Sequence, residues 1–475
     1  MSSWANTGTR DLHLDLRESI VPGTRGVRDV LLTALRDAVR SGRLGVGTVL
    51  PPSRTLASDL GISRNTVADA YAELVAEGWL ASRQGAGTWV VNPGRPQFPA
   101  RPRGTGATPT HNLMPGSPDV SAFPRSAWLA SARRALDAAP TEALRMGDPR
   151  GRPELRAALA EYLSRARGVH LSADNVVICA GTRHAIELLA RVFGPSARIA
   201  VEAYGLFLFR DCLTAAGAQT VPIGIDEMGA VVAGLDQVDV AAALLTPAHH
   251  YPHGVPLHPS RRSAVIDWAQ RTGGYVLEDD YDGEFRYDRQ PVGALQSLAP
   301  DRVLYLGSPS KSLSPVLRLG WMVVPDELLD AVLAAAGGQQ WYVDALTQLT
   351  MAEFIRNGNY DKHIRRQRAS YQRRRAVLVE RLRQAAPALE VSGVPAGLHL
   401  LLKLPAGTEH EVLQRAGDAG VALEGLSRAR HPHASPHVER PDGIVVNFGT
   451  PAEHAFAAAV DALVAIIRTT LEPRR

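Results

Sequence analysis

Between Asn92 and Asn112 the chain reads NPGRPQFPARPRGTGATPTHN, rich in Pro and Gly, with three arginines and no acid. Such a stretch cannot bury enough apolar surface to fold, so residues 93–112 are expected to form an extended linker. Whatever lies on either side must then fold by itself. The 475 residues divide into a short module, 1–92, and a long unit, 113–475. Typical domains run to roughly 100–200 residues, and a single α/β unit can be larger.

In the long unit, apolar strand-like runs (NVVICAG, RIAVEA, AALLTP, YVLEDDYD, RVLYLGS) alternate with amphipathic helical sequence. That alternation predicts an α/β fold with a mainly parallel sheet covered on both faces. Ligands of open α/β sheets bind at the carboxyl ends of the strands, so functional residues are sought there.

Composition narrows the function classes. The apolar share of 45% and charged share of 21% are those of a globular protein. With 52 basic and 48 acidic residues the net charge is +4, too weak to establish a nucleic-acid partner by itself. Two cysteines, Cys179 and Cys212, cannot build a disulfide framework or a four-cysteine zinc site, and read as buried free thiols. No apolar run approaches the roughly 20 residues of a membrane span. The first residues, MSSWANTGTRDLHLDL, lack the order of a secretion signal. A cytoplasmic protein with no membrane partner and no bound metal is expected. Only three of the basic residues are lysines: Lys311, Lys362 and Lys403.

In the short module, Val27, Val30, Leu31, Leu35 and Val39 fall at helical spacing. A second helix, SRTLASDLG, is expected to start with Ser53 as its N-cap and to stop at Gly61. After the turn GIS, Ser63 caps a third helix. Two short helices joined by a glycine turn make a helix-turn-helix, whose second helix enters the major groove with its first turn. That turn offers Arg64, Asn65 and Thr66, suited to base edges or phosphates. Ser53, Arg54 and Ser63 complete the helix-borne candidates for DNA contact. LASRQGAGTWVV reads as a β-hairpin wing with Arg83 and Gln84 near its tip. The segment from Val27 to Val91, and above all GRLGVGTVLPPSRTLASDLGISRNTVADAYAELVAEGWLASRQGAGTWV, strongly resembles the winged helix-turn-helix of the GntR regulators. The resemblance implies a double-stranded DNA operator, and the few phosphate contacts available favour a dimeric reader.

In the long unit the central segment is VLYLGSPSKSLSPVLRLGW. A strand ends at Gly307, followed by Ser308, Ser310 and Lys311, with Arg318 seven residues beyond the lysine. A partly desolvated lysine can condense with an aldehyde, which a guanidinium cannot do. Hydroxyls and an arginine nearby suit a phosphate. In YVLEDDYDGEFRY a strand runs into Glu278, Asp279, Asp280, Asp282 and Glu284. Such acids either include one carboxylate for a protonated pyridine nitrogen or gather a divalent cation. In VVICAGTRHAIELLARVF the turn Gly181, Thr182 and Arg183 would present backbone N–H groups to an anion at a helix start.

Together with GDPRGRPELRAALAEYLSRARGVHLSADNVVICAGTRHAIELL and TPAHHYPHGVPL, these segments resemble the fold-type-I aminotransferases from about Asn112 to Ile467. A GntR-type reader linked to such a unit resembles the MocR subgroup of bacterial regulators. The resemblance implies a head-to-tail, domain-swapped homodimer that holds pyridoxal 5′-phosphate at Lys311. It places Asp279 at the pyridine nitrogen and Tyr281 at the phenolic oxygen, with His249 near that oxygen. It gives the phosphate to Ser308, Ser310, Arg318 and the Gly181–Thr182–Arg183 turn.

The chain departs from its relatives in three places. Where they commonly show E-x-P-G-Y, this chain reads VEAYGLF, with Tyr204 at the proline position and Leu206 at the tyrosine position. The arginine that clamps a substrate α-carboxylate falls on Val445 in GIVVNFGT. The arginine that helps hold an amino-acid effector in some MocR proteins falls on Leu208. Three readings follow: a regulator whose large unit senses a small-molecule effector, a working aminotransferase with an accessory reader, and a scaffold that only dimerises. Lys311 and its neighbours argue against the third. The apolar clamp positions argue against the second, since transamination requires a held carboxylate. Within the first, pyridoxal phosphate itself is the expected effector, as in the members that control vitamin B6 synthesis; an amino acid or amine such as γ-aminobutyrate or taurine is the alternative.

Overall fold

A computed structural model of the chain describes residues 26–83, 85–91, 109–287, 292–337, 343–436 and 438–471. It divides into two compact units, 1–107 and 108–475. Gln84, the linker residues 93–108 and the first 25 residues lie outside the described residues.

In the first unit α1 (Val27–Arg40), α2 (Ser53–Leu60) and α3 (Arg64–Ala76) pack against a small antiparallel sheet. Its strands are β1 (Val49–Leu50), β2 (Leu80–Arg83) and β3 (Gly87–Val90), with β3 in the middle. Leu31, Leu35, Leu56, Val67, Leu74 and Val90 form the core. Gly61 ends α2 at φ 67°, a left-handed position that favours glycine. The Ser63 hydroxyl then accepts the Thr66 N–H and starts α3.

Two expectations for this unit are corrected. Ser53 caps nothing; it is the first residue of α2, and the cap position is Pro52. Pro52 is extended (ψ 143°), and its carbonyl accepts the N–H groups of Thr55 and Leu56 at 2.8 and 3.0 Å. Val30 is 39% exposed, while Leu32 and Ala38 are buried. At about 100° per residue, the stripe through Leu31, Leu35 and Ala38 takes in Leu32 and leaves Val30 at the edge.

The second unit is built on a seven-stranded sheet. In spatial order its strands are Val176–Cys179, Gly320–Val323, Val303–Gly307, Tyr275–Asp279, Ala242–Leu245, Arg198–Glu202 and Gln219–Ile223. Every pairing is parallel except those of Gly320–Val323, which runs against both neighbours. Leu244, Leu277 and Leu304 pack on one face, with residues of the helix Thr182–Phe193. Ala243, Leu245, Val276 and Val303 pack on the other, with residues of Pro259–Thr272. Both faces are buried, which is why these strands read as continuous apolar runs.

A second, antiparallel sheet follows, with strands Val391–Ser392, His399–Leu404, Asp442–Asn447 and Glu424–Gly425 in that order. The 27-residue helix Asn359–Ala385 is fastened beside both sheets. Near its start the Tyr360 hydroxyl meets Ser312 Oγ at 2.8 Å. Near its middle, Arg374 donates to the carbonyls of Phe448 and Pro451, just beyond the second sheet. His111–Asn112, assigned above to the linker, forms a strand parallel to Val421–Ala422. The helix Glu453–Leu471 is long and apolar enough to cross a membrane by length and composition. Its Phe456, Val460, Leu463 and Ile467 belong to the main core. The interrupted apolar pattern of that helix hides it from a search for unbroken runs.

Candidate functional site

The carboxyl ends of the parallel strands open onto a cavity of about 530 Å³. Glu202 and Asp279 end two of these strands, and Thr246 and Ser308 directly follow two others; all four line the cavity. Because Gly320–Val323 runs the opposite way, the residues just before it, including Arg318, arrive at the same end. Gly181, Thr182, Arg183, Ser310 and Lys311 line it too. The fold thus gathers, from segments far apart in sequence, nearly all the candidates read from the second unit.

The Lys311 amine donates to the Gly116 carbonyl at 2.7 Å. Burial pulls its pKa below the usual lysine value, and the Asp282 and Asp279 carboxylates oppose the shift. Asp279 is 4% exposed, and its Oδ1 has no hydrogen-bond partner. Burial, with repulsion from Asp280, pushes its pKa up to about 8. A buried carboxylate oxygen without a partner calls for a cationic N–H donor.

The helix Thr182–Phe193 begins at Gly181, at φ 94°, with no side chain capping it. Its first-turn N–H groups are therefore available to an anion. The Arg183 guanidinium meets Glu187 at 3.1 Å, so its contribution to that turn is its backbone N–H. A side chain on Gly320 would collide with the Gly181 backbone; the anion turn and the strand after Arg318 touch directly. Arg318 itself is left-handed, at φ 48°.

His249 does not line the cavity. It lies behind Tyr281, with Nδ1 2.8 Å from Asp282 Oδ2 and 3.2 Å from the Tyr281 hydroxyl. The residue of its loop that reaches the cavity is Tyr251, whose hydroxyl donates to buried Glu424. The acidic run does not converge. Asp280 is held by Arg167, and Glu278 accepts the N–H groups of Leu295 and Gln296.

Sequence reasoning missed other lining residues: Glu202, His399, Glu424 and His431. Glu202 is pushed up to about 8 by burial, against hydrogen bonds from Thr246. Its place at a strand end was a usable signal. Arg210 and Arg428 also line the cavity, and nothing in the sequence aimed them. Of the two clamp positions, Leu208 lines the cavity. Val445 is fully buried among Tyr204, Tyr251 and Leu401.

In the first unit Arg54, Ser63, Arg64, Asn65 and Arg83 are exposed, and Ser53 and Thr66 are half-buried. The Thr66 hydroxyl is 2.8 Å from Ser63 Oγ, within the cap. Arg28 and Arg36 of α1 pair with Glu73 of α3 and with Glu77, the residue just past its end. Net positive charge is thereby left to other arginines, including Arg54, Arg64 and Arg83.

This arrangement agrees with what known proteins show. The family "Bacterial regulatory proteins, gntR family" matches residues 29–90, and "Aminotransferase class I and II" matches residues 117–442. The chain is 33% identical to the probable rhizopine catabolism regulatory protein MocR of Rhizobium meliloti, over 84% of this chain and 86% of that one. It is 32% identical to the pyridoxine biosynthesis transcriptional regulator PdxR of Corynebacterium glutamicum, over 89% and 92%. The kynurenine aminotransferase of Pyrococcus horikoshii superposes with a TM-score of 0.68 at 25% identity, covering 76% of this chain and 91% of that one. Fold and site define a DNA-binding transcriptional regulator with an aminotransferase-like unit. The chain belongs to the MocR subgroup of the gntR family. Its cofactor is pyridoxal 5′-phosphate, and the site fits that group through the buried lysine amine, the unpartnered Asp279 oxygen and the uncapped helix start.

Proposed function

We propose that the protein is a homodimeric regulator whose operator binding is set by pyridoxal phosphate, and that it controls vitamin B6 metabolism. The observation that carries this reading is the apolar character of both carboxylate-clamp positions, Leu208 and buried Val445. A relative named for pyridoxine biosynthesis, 32% identical over most of both chains, supports it.

When bound, the cofactor supplies an aldehyde carbon that bonds to an amine and a ring that withdraws electrons from it. Lys311 supplies the amine, kept more readily neutral by burial. Asp279 would hold the proton at the pyridine nitrogen, and Tyr281 would face the phenolic oxygen. Ser308, Ser310, Arg318 and the N–H groups of the Gly181–Thr182–Arg183 turn would hold the phosphate. Arg64 and Asn65 read base edges, with Ser53, Arg54, Ser63 and Thr66 nearby, and Arg83 on the wing touches the DNA backbone. Exposed Leu129, Leu136, Leu144, Met146 and Val316 on the second unit support a second copy of the chain as its partner, since exposed apolar surface marks interfaces.

One observation favours a second reading. Arg210 and Arg428 line the same cavity. Arg428 lies over the Phe207 ring at 4.2 Å, and Arg210, which donates to the Arg430 carbonyl at 3.2 Å, has its pKa lowered by burial. An anionic effector held there would displace the clamp rather than lose it. Operator titrations decide between the two. On the first reading, loading with pyridoxal phosphate alone changes operator affinity, and added amino acids do nothing further. Equal affinity with and without the cofactor, and a change only on adding γ-aminobutyrate, taurine or another amino acid, would overturn it. Loss of that second response in Arg210→Gln or Arg428→Gln would then locate the anion.

A further inference from the structure

We infer that His249 and Asp282 are positioning residues that turn the Tyr281 hydroxyl proton toward the cavity and so make Tyr281 a hydrogen-bond donor to the cofactor. The inference rests on the assignment of Tyr281 to the phenolic oxygen and deepens it.

A ring nitrogen carries either one hydrogen or one lone pair, never both. His249 Nδ1 is 2.8 Å from Asp282 Oδ2 and 3.2 Å from the Tyr281 oxygen. A carboxylate only accepts. Asp282 at that distance therefore fixes His249 in the tautomer with hydrogen on Nδ1. That N–H is shared between Asp282 and the Tyr281 oxygen. Nδ1 then has no lone pair to take the tyrosine's proton, and two directions remain for it: the Asp282 carboxylate, already engaged by the His249 N–H, and the side on which Tyr281 lines the cavity, to which the inference assigns it.

The three groups have little freedom to rearrange. The His249 and Asp282 side chains are 2% and 1% exposed. A side chain at Gly397 would collide with both, so the backbone just before the strand His399–Leu404 is pressed against them. The His249 and Tyr281 rings stack with centroids 6.3 Å apart at 30°, and His399 lies 5.2 Å from His249. The titratable groups around Tyr281 are Asp279 and Asp282 on its own loop, Tyr251 and His249 on the loop after Ala242–Leu245, and His399 and Lys311. Burial, with Asp282 and Asp279 next, holds the Tyr281 pKa well above its ordinary value. It therefore remains a donor across the working range. The competing arrangement has Tyr281 donate backward to Asp282, and it predicts the opposite response.

The readout is the visible absorbance of the full-length protein loaded with pyridoxal 5′-phosphate, followed against pH. A donor at the phenolic oxygen favours its ionised form and lowers the midpoint of the titration. Asp282→Asn can donate its amide to Nδ1, which switches the histidine tautomer and draws the tyrosine proton backward. Loss of the donor is expected to raise the midpoint by about one pH unit, as in Tyr281→Phe, against the lowering that loss of the Asp282 charge gives. His249→Leu is expected to raise the midpoint as well. His249→Gln keeps an N–H donor and is expected to restore the wild-type midpoint, which also covers the case in which Asp282→Asn does not fold. Loss of the Asp282 charge by itself lowers the midpoint, so equal shifts in His249→Leu and His249→Gln are the result that overturns the inference, while a raised Tyr281→Phe midpoint leaves the assignment of Tyr281 standing. An unchanged midpoint in Tyr281→Phe overturns both.

Discussion

Arg167 grips Asp280 through two hydrogen bonds, Nε to Oδ2 at 2.6 Å and Nη2 to Oδ1 at 3.0 Å, with both side chains almost wholly out of solvent. The Tyr305 hydroxyl donates to the same carboxylate at 2.7 Å, and Arg167 also donates to the Gly283 carbonyl. The helix Pro153–Arg167 is thereby tied to the loop that carries Asp279 and Tyr281. Removing one partner of a buried ion pair leaves an uncompensated charge, a loss of about 3–5 kcal/mol. Arg167→Ala is expected to show that loss in urea unfolding. A change under about 1 kcal/mol would mean that solvent reaches Asp280.

The buried acids predict how the cofactor-free protein responds to pH. Asp279 and Glu202 are pushed up to about 8, and Glu278 and Glu284 to about 7, in each case first by burial. Unfolded, these groups titrate near about 4. The folded state therefore holds more protons, and stability present below about pH 4 is lost as pH rises through the folded values. Buried His250, His253 and His399, held below their ordinary value by burial, act in the opposite sense but only below about 6.5. Between pH 7 and 8.5 the urea midpoint should fall, and Asp279→Asn should flatten part of the slope. A rising midpoint in that window contradicts the assignment.

Lys311 is the lysine expected to hold the cofactor. Lys403 pairs with Glu390 at 2.7 Å, and Lys362 is exposed on the helix Asn359–Ala385. Lys311→Ala should abolish the visible band that pyridoxal phosphate gives the purified protein. Lys362→Ala and Lys403→Ala should keep it. Retention of the band in Lys311→Ala would place the covalent attachment elsewhere.

For DNA, Arg64→Ala should weaken a specific operator by ~1–3 kcal/mol if the guanidinium reads a guanine in bidentate fashion. Fluorescence anisotropy on operator and scrambled duplexes separates the alternatives. An equal loss on both assigns Arg64 to a phosphate.

The sequence was readable wherever a local rule acts. Gly61 and Ser63 mark the turn of the reader because one must be left-handed and the other must accept an N–H. The five apolar runs mark strands because each is covered on both faces. Lys311, Asp279, Ser308 and the Gly181 turn stand out together because Asp279 ends a strand, Ser308 and Lys311 follow one within four residues, and the Gly181 turn opens a helix. What stayed hidden depends on distant partners. The strand Gly320–Val323 runs backward, and its Trp321 fits only because Gly307 has no side chain. His249 faces Asp282 and Gly397 rather than the cavity. Arg210 and Arg428 reach the cavity from separate segments, Arg428 on the short helix Leu426–Ala429, a convergence that periodicity does not encode. Ser53 missed its expected role because Pro52, one residue earlier, already supplied the carbonyl that starts the helix.

The long helix Asn359–Ala385 carries a mechanical consequence. Its 27 residues make a rod of about 40 Å, pinned to Ser312 beside Lys311 at one point and to Phe448 and Pro451 beyond the second sheet at another. The cavity wall has two owners. Lys311 and Asp279 come from the end of the large sheet, and His399 and Asn447 from the small one. A molecule lodged between them acts as a spacer, and close-packed sheets do not absorb such a change internally. Any relative movement of the two sheets would therefore reach this one helix at both of its attachments, Tyr360 and Arg374.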